Sequence, residues 1–378
     1  MLLTELEARN FRNLRGNTGC GPGLNILLGD NGQGKTSWLE AIHLLATTRS
    51  FRTAKLSEAI AFDETSAMVA GKVSVSDEIH HQLRAVLEGN SKAFSVNGKR
   101  ETIQRYLGEL HSVVFNADEL EVVRGTPEHR RRFLDDSITA IHPPYVQTIG
   151  DYSRVLRQKN SLLQTARDRE VPLEKVKESL APWNEQLAAI ASKVHRSRAR
   201  IVERLNAALA KGLFGEERIT IRYASSLEEK GDLSEYEALI AERLEIRVPA
   251  ELVAGHSLIG PHRDDLEISL NGREIRKFGS SGQQRSALLL LQLANIEIFF
   301  EQRGEYPLFL LDDIDAELDY RRIGQLLEYL AGRTQTFVTT SKESFSQEFG
   351  SLANILRVVD GGFVKGNDAA QSAASPSV

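Results

Sequence analysis

Residues 29–36, GDNGQGKT, carry the plainest chemistry in the chain. They keep the spacing G-x-x-x-x-G-K-[ST], in which glycines let the backbone turn its N–H groups inward around phosphate oxygens. Gly29, Gly32 and Gly34 supply that freedom, and Asp30, Asn31, Gln33 and Ser37 complete the loop and open the next helix. A helix N-terminus adds positive potential at the same place. Lys35 is expected to pair with the β- and γ-phosphates of ATP, and Thr36 to ligate Mg²⁺.

A second segment, PLFLLDD at 307–313, supplies the other half of such a site. Its apolar run reads as a central parallel strand, whose carboxyl end faces the ligand crevice of an open α/β sheet. Asp312 is expected to hold Mg²⁺ through its water shell, and Asp313 to orient the attacking water beside the γ-phosphate. Lys35, Asp312 and Asp313 form the expected catalytic set.

A third segment, FGSSGQQR at 278–285, precedes the apolar helix SALLLLQLANIEIFF. It resembles the signature loop of ABC-type ATPases, with Ser280, Gly282 and Gln283 in the matching places. Ser and Gly at a helix N-terminus form an anion site. In the ABC-type arrangement that site faces the nucleotide of the partner protomer, which implies a head-to-tail homodimer around two ATP molecules. IDAELD at 314–319 resembles the D-loop that crosses such an interface. Two departures stand out. TFVTT (336–340) carries no switch histidine, only Thr340 or Ser341 in its place, and SVVF (112–115) leads into Asn116-Ala117-Asp118 with no glutamine. Both argue for slow hydrolysis and against a transporter motor.

The elements that must position these residues are legible by period. LNILLG (24–29) reads as a buried strand and SWLEAIHLLAT (37–47) as an amphipathic helix. Residues 67–75, 82–88 and 94–97 alternate apolar and polar, with a hairpin turn at Asn97-Gly98. From 127 to 215 helix formers dominate. Tyr145, Ile149, Tyr152 and Leu156 mark one seam, and Leu187, Ile190, Val194, Ile201, Leu205 and Leu209 another. A polar break at 168–172 predicts an antiparallel helical hairpin, with Pro182 in the first turn of its second helix. Strand signals return at 218–223, 266–270, 307–311 and 336–340. The expected fold is α/β: an ABC-type P-loop ATPase head from residues 1–119 and 215–365, interrupted by a short antiparallel helical arm at 120–214. The small polar segment 366–378 reads as disordered.

Composition sets limits. An apolar share of 41% suits a globular chain with a buried core. No apolar run approaches the roughly 20 residues of a membrane helix, and the N-terminus lacks a basic-then-apolar signal pattern. Both point to a cytoplasmic protein without membrane partners. Cys20 is the single cysteine, so an internal disulfide is excluded. The net charge of −5 does not advertise nucleic-acid binding, so a DNA site must come from local patches. Arg130, Arg131, Lys193, Arg196 and Arg200 are the candidates, since Arg/Lys stripes bind phosphates through counterion release. A solvated helical face is the competing account, as is pairing of Arg131 and Arg132 with Asp135 and Asp136. His262, Arg263 and Asp264 read as a structural turn.

Nearly the whole chain resembles the bacterial RecF recombination mediators. The resemblance rests on NFRNL (10–14), GDNGQGKTSWLEAI (29–42), RSFR (49–52), RGTPEHRRRFLD (124–135), GPHRDDLEISLNGR (260–273), SSGQQR (280–285) and LLDDIDAELD (310–319). Several are shared with SMC and Rad50-type heads. The resemblance implies a weak DNA-stimulated ATPase that dimerises with ATP, binds double-stranded or gapped DNA, and works with RecR, in the RecO and RecA pathway, to load RecA. By likeness to related heads it also places Arg12 and Asn13 near the adenine or phosphates. An ABC transporter ATPase subunit or an SMC-like DNA-organising ATPase would share the three motifs. The first should show a switch histidine and a Q-loop; the second needs hundreds of coiled-coil residues where this arm offers about 90.

Overall fold

The computed structural model describes residues 1–75, 78–212 and 217–364, so the tail expected to be disordered lies outside the described residues. In chain order the strands are β1 (Leu2–Phe11), β2 (Leu14–Gly19), β3 (Leu24–Leu28), β4 (Ser66–Ser74), β5 (His80–Glu88), β6 (Ser91–Val96), β7 (Lys99–Glu101) and β8 (Ser112–Phe115). They continue with β9 (Ile219–Ala224), β10 (Asp265–Leu270), β11 (Arg273–Glu274), β12 (Leu308–Leu311), β13 (Thr336–Thr340), β14 (Ala353–Val359) and β15 (Gly362–Val364). The principal helices are α1 (Lys35–Thr47), α2 (Pro127–Ile141), α3 (Tyr145–Asp168), α4 (Leu173–Leu209), α5 (Tyr236–Ile246), α6 (Val248–Ala254), α7 (Ser281–Arg303) and α8 (Tyr320–Leu330).

Two compact units result. The first joins Met1–Leu120 to the segment from Leu288 onward; the second is Glu121–Ala287. In the first, an antiparallel sheet of order β2-β1-β4-β5-β6-β7 accompanies a second sheet of order β15-β14-β3-β13-β12-β8. In that second sheet β14, β3, β13, β12 and β8 run parallel, and β15 closes it antiparallel. Its inner strands are buried, and β3, β8 and β12 are near-continuous apolar runs, as strands covered on both faces require. Trp38, Leu39, Ile42 and Leu45 of α1 form one core with Leu3, Leu6 and Phe11 of β1, Leu310 of β12 and Phe337 of β13. Asn97 and Gly98 take φ of 50° and 78°, the two positive values a type I′ hairpin needs, and close β6 onto β7 as expected.

In the second unit α3 and α4 are consecutive helices broken at residues 169–172, where the sequence placed the break. Pro182 does not open α4, which begins at Leu173 and carries Pro182 in its interior. Proline lacks the N–H that would reach back to residue 178, but packing outweighs that loss: Val176 and Leu180, both ahead of it, are buried against Leu163 and Val248. Strands β9, β10 and β11 form their own three-stranded sheet, and Glu121–Ala287 is one unit. Residues 217–287 therefore pack in one compact unit with the helices. A returning strand signal tells that a sheet exists, not which sheet it joins.

Candidate nucleotide-binding site

Four strands of the parallel sheet point their carboxyl ends the same way, and each delivers a segment that the sequence singled out. β3 runs into the glycine loop, β12 into Asp312 and Asp313, β13 into Ser341, and β8 into Asn116. Strand order decides who meets whom. β13 lies between β3 and β12, so its last residues sit between the two halves of the site.

Thr36 Oγ1 donates to Asp312 Oδ1 at 2.9 Å, and Thr339 Oγ1 donates to the same oxygen at 2.7 Å. Thr339 Oγ1 also accepts from the Asp313 N–H at 2.8 Å. One hydroxyl of β13 thus fixes both aspartates, a role with no mark in TFVTT, where Thr339 is one threonine of three. Burial raises the Asp312 carboxyl above the ordinary aspartate range, opposed by the hydrogen bonds from Thr339 and Thr36. Burial also raises Asp313, helped by the nearby Asp315 carboxylate. Asp313 has φ of 50° and caps the short turn Ile314–Glu317. A hydroxyl beside a carboxylate is a hard oxygen set suited to Mg²⁺, which is held by one or two protein groups plus waters and phosphates. Among the described residues no group of three or more His, Cys, Asp or Glu could hold a metal without such help.

Lys35 is 8% exposed, and its Nζ donates to the carbonyls of Gly29 at 2.7 Å and Asp30 at 2.8 Å. Burial pulls its pKa down, against the pull of Asp313 and Asp312. Gly34, at φ 103°, caps α1, and Gly29 admits no side chain, since a Cβ would lie 2.4 Å from the Val358 carbonyl. Asp30, Asn31 and Gly32 are exposed, and Gln33, Thr36 and Ser37 are partly or wholly buried. Asn116 is buried and its Oδ1 accepts from the Glu119 N–H at 2.8 Å. It holds its own turn. Thr340 is likewise fully buried and accepts from the Lys342 N–H at 3.0 Å.

Arg12, expected near the adenine or phosphates, is paired with Glu40. Its Nε and Nη2 reach the two Glu40 oxygens at 3.0 and 2.8 Å, and its Nη1 reaches the Glu58 carbonyl at 2.8 Å. Glu40 is fully buried on α1 and also accepts from Ser50 Oγ at 2.5 Å. A buried carboxylate must be paired, which draws in NFRNL and RSFR and explains both motifs as braces of α1.

The signature-like loop opens α7. Ser280 N donates to Gln283 Oε1 at 2.9 Å and Gln283 N to Ser280 Oγ at 3.3 Å, a reciprocal capping box. Ser280, Ser281, Gly282 and Gln283 are all exposed.

Of the five DNA candidates, Arg130 is corrected. It is 4% exposed, chelates Asp265 at 2.6 and 2.9 Å and also reaches the Gly125 carbonyl. A guanidinium so engaged is a structural cross-link between α2 and β10. Arg131 is half-buried and donates to the Asp264 carbonyl at 2.8 Å. Asp135 pairs with Arg198 of α4 rather than with Arg131, and Arg132 pairs with Asp136. Lys193, Arg196 and Arg200 are exposed on α4, at the three- and four-residue steps that share one helix face. The turn at His262 is structural: Tyr152 OH lies 2.7 Å from its Nδ1, and Asp264 is fully buried.

Fold and site together define an ABC-type P-loop ATPase head. The domain described as RecF/RecN/SMC N terminal matches residues 2–362. The chain is 36% identical over 355 residues to the DNA replication and repair protein RecF of Halothermothrix orenii, covering 90% of this chain and 92% of that one. It is 37% identical over 372 residues to the RecF of Synechococcus sp. JA-2-3B'a(2-13), covering 96% and 97%. The solved structure of the recombination mediator protein RecF-ATP in the RecFOR pathway superposes with a TM-score of 0.86 at 30% identity, covering 96% and 97%. The chain belongs to the RecF family.

Proposed function

We propose that this chain is an ATP-gated DNA-binding protein of DNA replication and recombinational repair. It dimerises around two Mg²⁺-ATP, binds duplex or gapped DNA, and with RecR helps to load RecA; weak, DNA-stimulated hydrolysis resets it. The observation that carries this reading is the pairing of a closed Thr36–Asp312–Thr339 triad with an exposed Ser280–Gln283 helix cap. The relatives named for replication and repair point the same way. In this reading Lys35 neutralises the triphosphate, Thr36 and Asp312 hold the metal, and Asp313 orients water. Ser280, Gly282 and Gln283 meet the γ-phosphate bound to the partner protomer. Lys193, Arg196 and Arg200 contact DNA phosphates. The lack of a switch histidine and a Q-loop glutamine, with buried Thr340 and Asn116 in their places, favours slow turnover over a transporter cycle.

Ser280→Arg tests the sandwich. Because Ser280 also caps α7, Ser280→Ala serves as the control: it loses a cap worth about 1 kcal/mol but leaves the space open. Light scattering with and without ATP, beside a fluorescent-nucleotide titration, should show both variants loading nucleotide and only the arginine variant failing to dimerise. If Ser280→Arg still dimerises with ATP, the loop is a helix cap and nothing more.

A further inference from the structure

The last hairpin of the described chain leans on the phosphate loop at both of its ends. β14 pairs in parallel with β3, Arg357 opposite Leu28. One residue on, the Val358 carbonyl occupies the space a Cβ on Gly29 would need, 2.4 Å away. The turn between β14 and β15 then grips the middle of the loop. The Asp360 N–H donates to Gln33 Oε1 at 2.6 Å, and the Gly361 N–H donates to the Gln33 carbonyl at 2.9 Å. The same turn is held from its other side, since the Arg15 N–H donates to the Gly361 carbonyl at 3.1 Å. The approach to the β1–β2 turn is so close that a Cβ on Gly361 would lie 1.8 Å from the Asn13 carbonyl. Asn13 in turn presents its amide 3.0 Å from where a Cβ on Gly34 would stand. Asp360 and Gly361 have φ of 46° and 75°, a left-handed pair that turns two successive N–H groups toward one residue.

We propose that Asp360 and Gly361 are positioning residues for ATP binding, acting through Gln33 to hold the phosphate loop open and shaped for a triphosphate. The inference rests on the reading of residues 29–36 as a phosphate loop. A loop of this kind binds through its backbone N–H groups, so its affinity depends on how far it is shaped before the ligand arrives. Glycines at 29, 32 and 34 make the loop adaptable and leave it costly to order. Two hydrogen bonds from a strand turn on the adjacent sheet edge remove much of that freedom. Neither Asp360 nor Gly361 needs to touch nucleotide for this to operate, and neither lies in any of the three nucleotide-site motifs.

Three variants of the full chain test it. Gly361→Ala must displace the turn from Asn13 and with it both bonds to Gln33. Gln33→Met removes only the side-chain acceptor at a partly exposed position. Asp360→Asn keeps the backbone N–H and the left-handed conformation that asparagine tolerates. The readouts are a fluorescent ATP titration with Mg²⁺ and a steady-state KM and kcat. Gly361→Ala should raise Kd and KM by about tenfold, and Gln33→Met by about three- to tenfold, the worth of one lost net hydrogen bond. kcat at saturation should hold in Gly361→Ala, which lies outside the loop itself, and Asp360→Asn should match the parent. A merely structural role would lower the melting temperature and leave Kd unmoved. Wild-type affinity in Gly361→Ala and Gln33→Met, while Lys35→Ala loses nucleotide, overturns the proposal and leaves the phosphate loop standing. Wild-type affinity in Lys35→Ala as well removes the phosphate loop and the proposal together. If Gly361→Ala does not fold, Gln33→Met decides alone, an unchanged Kd counting against the clasp.

Discussion

Thr339 shows how much one hydroxyl can organise. It donates to Asp312 Oδ1 and accepts from the Asp313 N–H, so both aspartates inherit their geometry from a strand that contributes no charge of its own. Thr339→Val keeps the shape and removes the hydroxyl, which leaves the Asp313 N–H and one Asp312 contact unmet. The stability cost should be about 1 to 3 kcal/mol, the price of an unsatisfied buried polar group. Mg²⁺-ATPase activity should fall more than nucleotide binding. Denaturant melts beside kinetics measure both, and equal losses in binding and turnover would argue that Thr339 only packs. Lys35, Thr36, Asp312 and Asp313 could be picked out as candidates because the chemistry expected of them depends on spacing along the chain. Thr339 and Glu40 were not legible, because their importance comes from strand order and from burial. A threonine in a strand and a glutamate at the sixth position of a helix are ordinary until their neighbours are known.

At the scale of elements, α3 and α6 are joined by a buried ion pair. Lys159 Nζ lies 2.7 Å from Glu251 Oε2, both side chains being fully buried. Glu251 Oε1 also accepts from Ser257 Oγ and from the Leu258 N–H, at 2.8 and 2.9 Å. Burial pushes the Lys159 ammonium below its ordinary pKa, with Glu251 opposing. Lys159→Met leaves the Glu251 carboxylate buried and short of a cation, a loss of about 3 to 5 kcal/mol. Adding Glu251→Gln, which still accepts from Ser257 and Leu258, should recover much of it. Chemical denaturation of the two variants checks this, and a double variant no more stable than the single would mean that packing, not charge, is at stake. Helices α3 and α4 were read from their apolar seams and their break, which are periodic signals. The start of α4 was misread, and the sheet β11-β10-β9 not foreseen as a separate sheet, for the opposite reason. Pro182 is a strong local signal that packing overrides, and a strand carries no mark of the sheet it will join.

The whole molecule sets charge against task. A net charge of −5 repels a polyanion, so any DNA contact depends on local cations such as the exposed row Lys193, Arg196 and Arg200 on α4. Affinity for duplex DNA should therefore fall steeply with salt and show little sequence preference, since phosphate contacts carry no base information directly. Removing one arginine of the row, as in Arg200→Ala, should flatten the slope of log affinity against log salt by about one. Arg130→Ala should leave the slope unchanged and cost stability instead. Fluorescence anisotropy across a salt series separates the two, and a slope indifferent to Arg200 would move the DNA path off α4.

The order of the central sheet has a further consequence, for synthesis. β3, which launches the phosphate loop, is paired on one side with β13 and on the other with β14. Both neighbours are made more than 300 residues later, at Thr336–Thr340 and Ala353–Val359. While the chain is still growing on the ribosome, the loop at residues 29–36 is made early yet has no strand beside it. Nucleotide affinity must then arrive late and all at once, only after Val359 has been added, and a message cut short before Thr336 should yield a product that retains every residue of GDNGQGKT and binds no ATP.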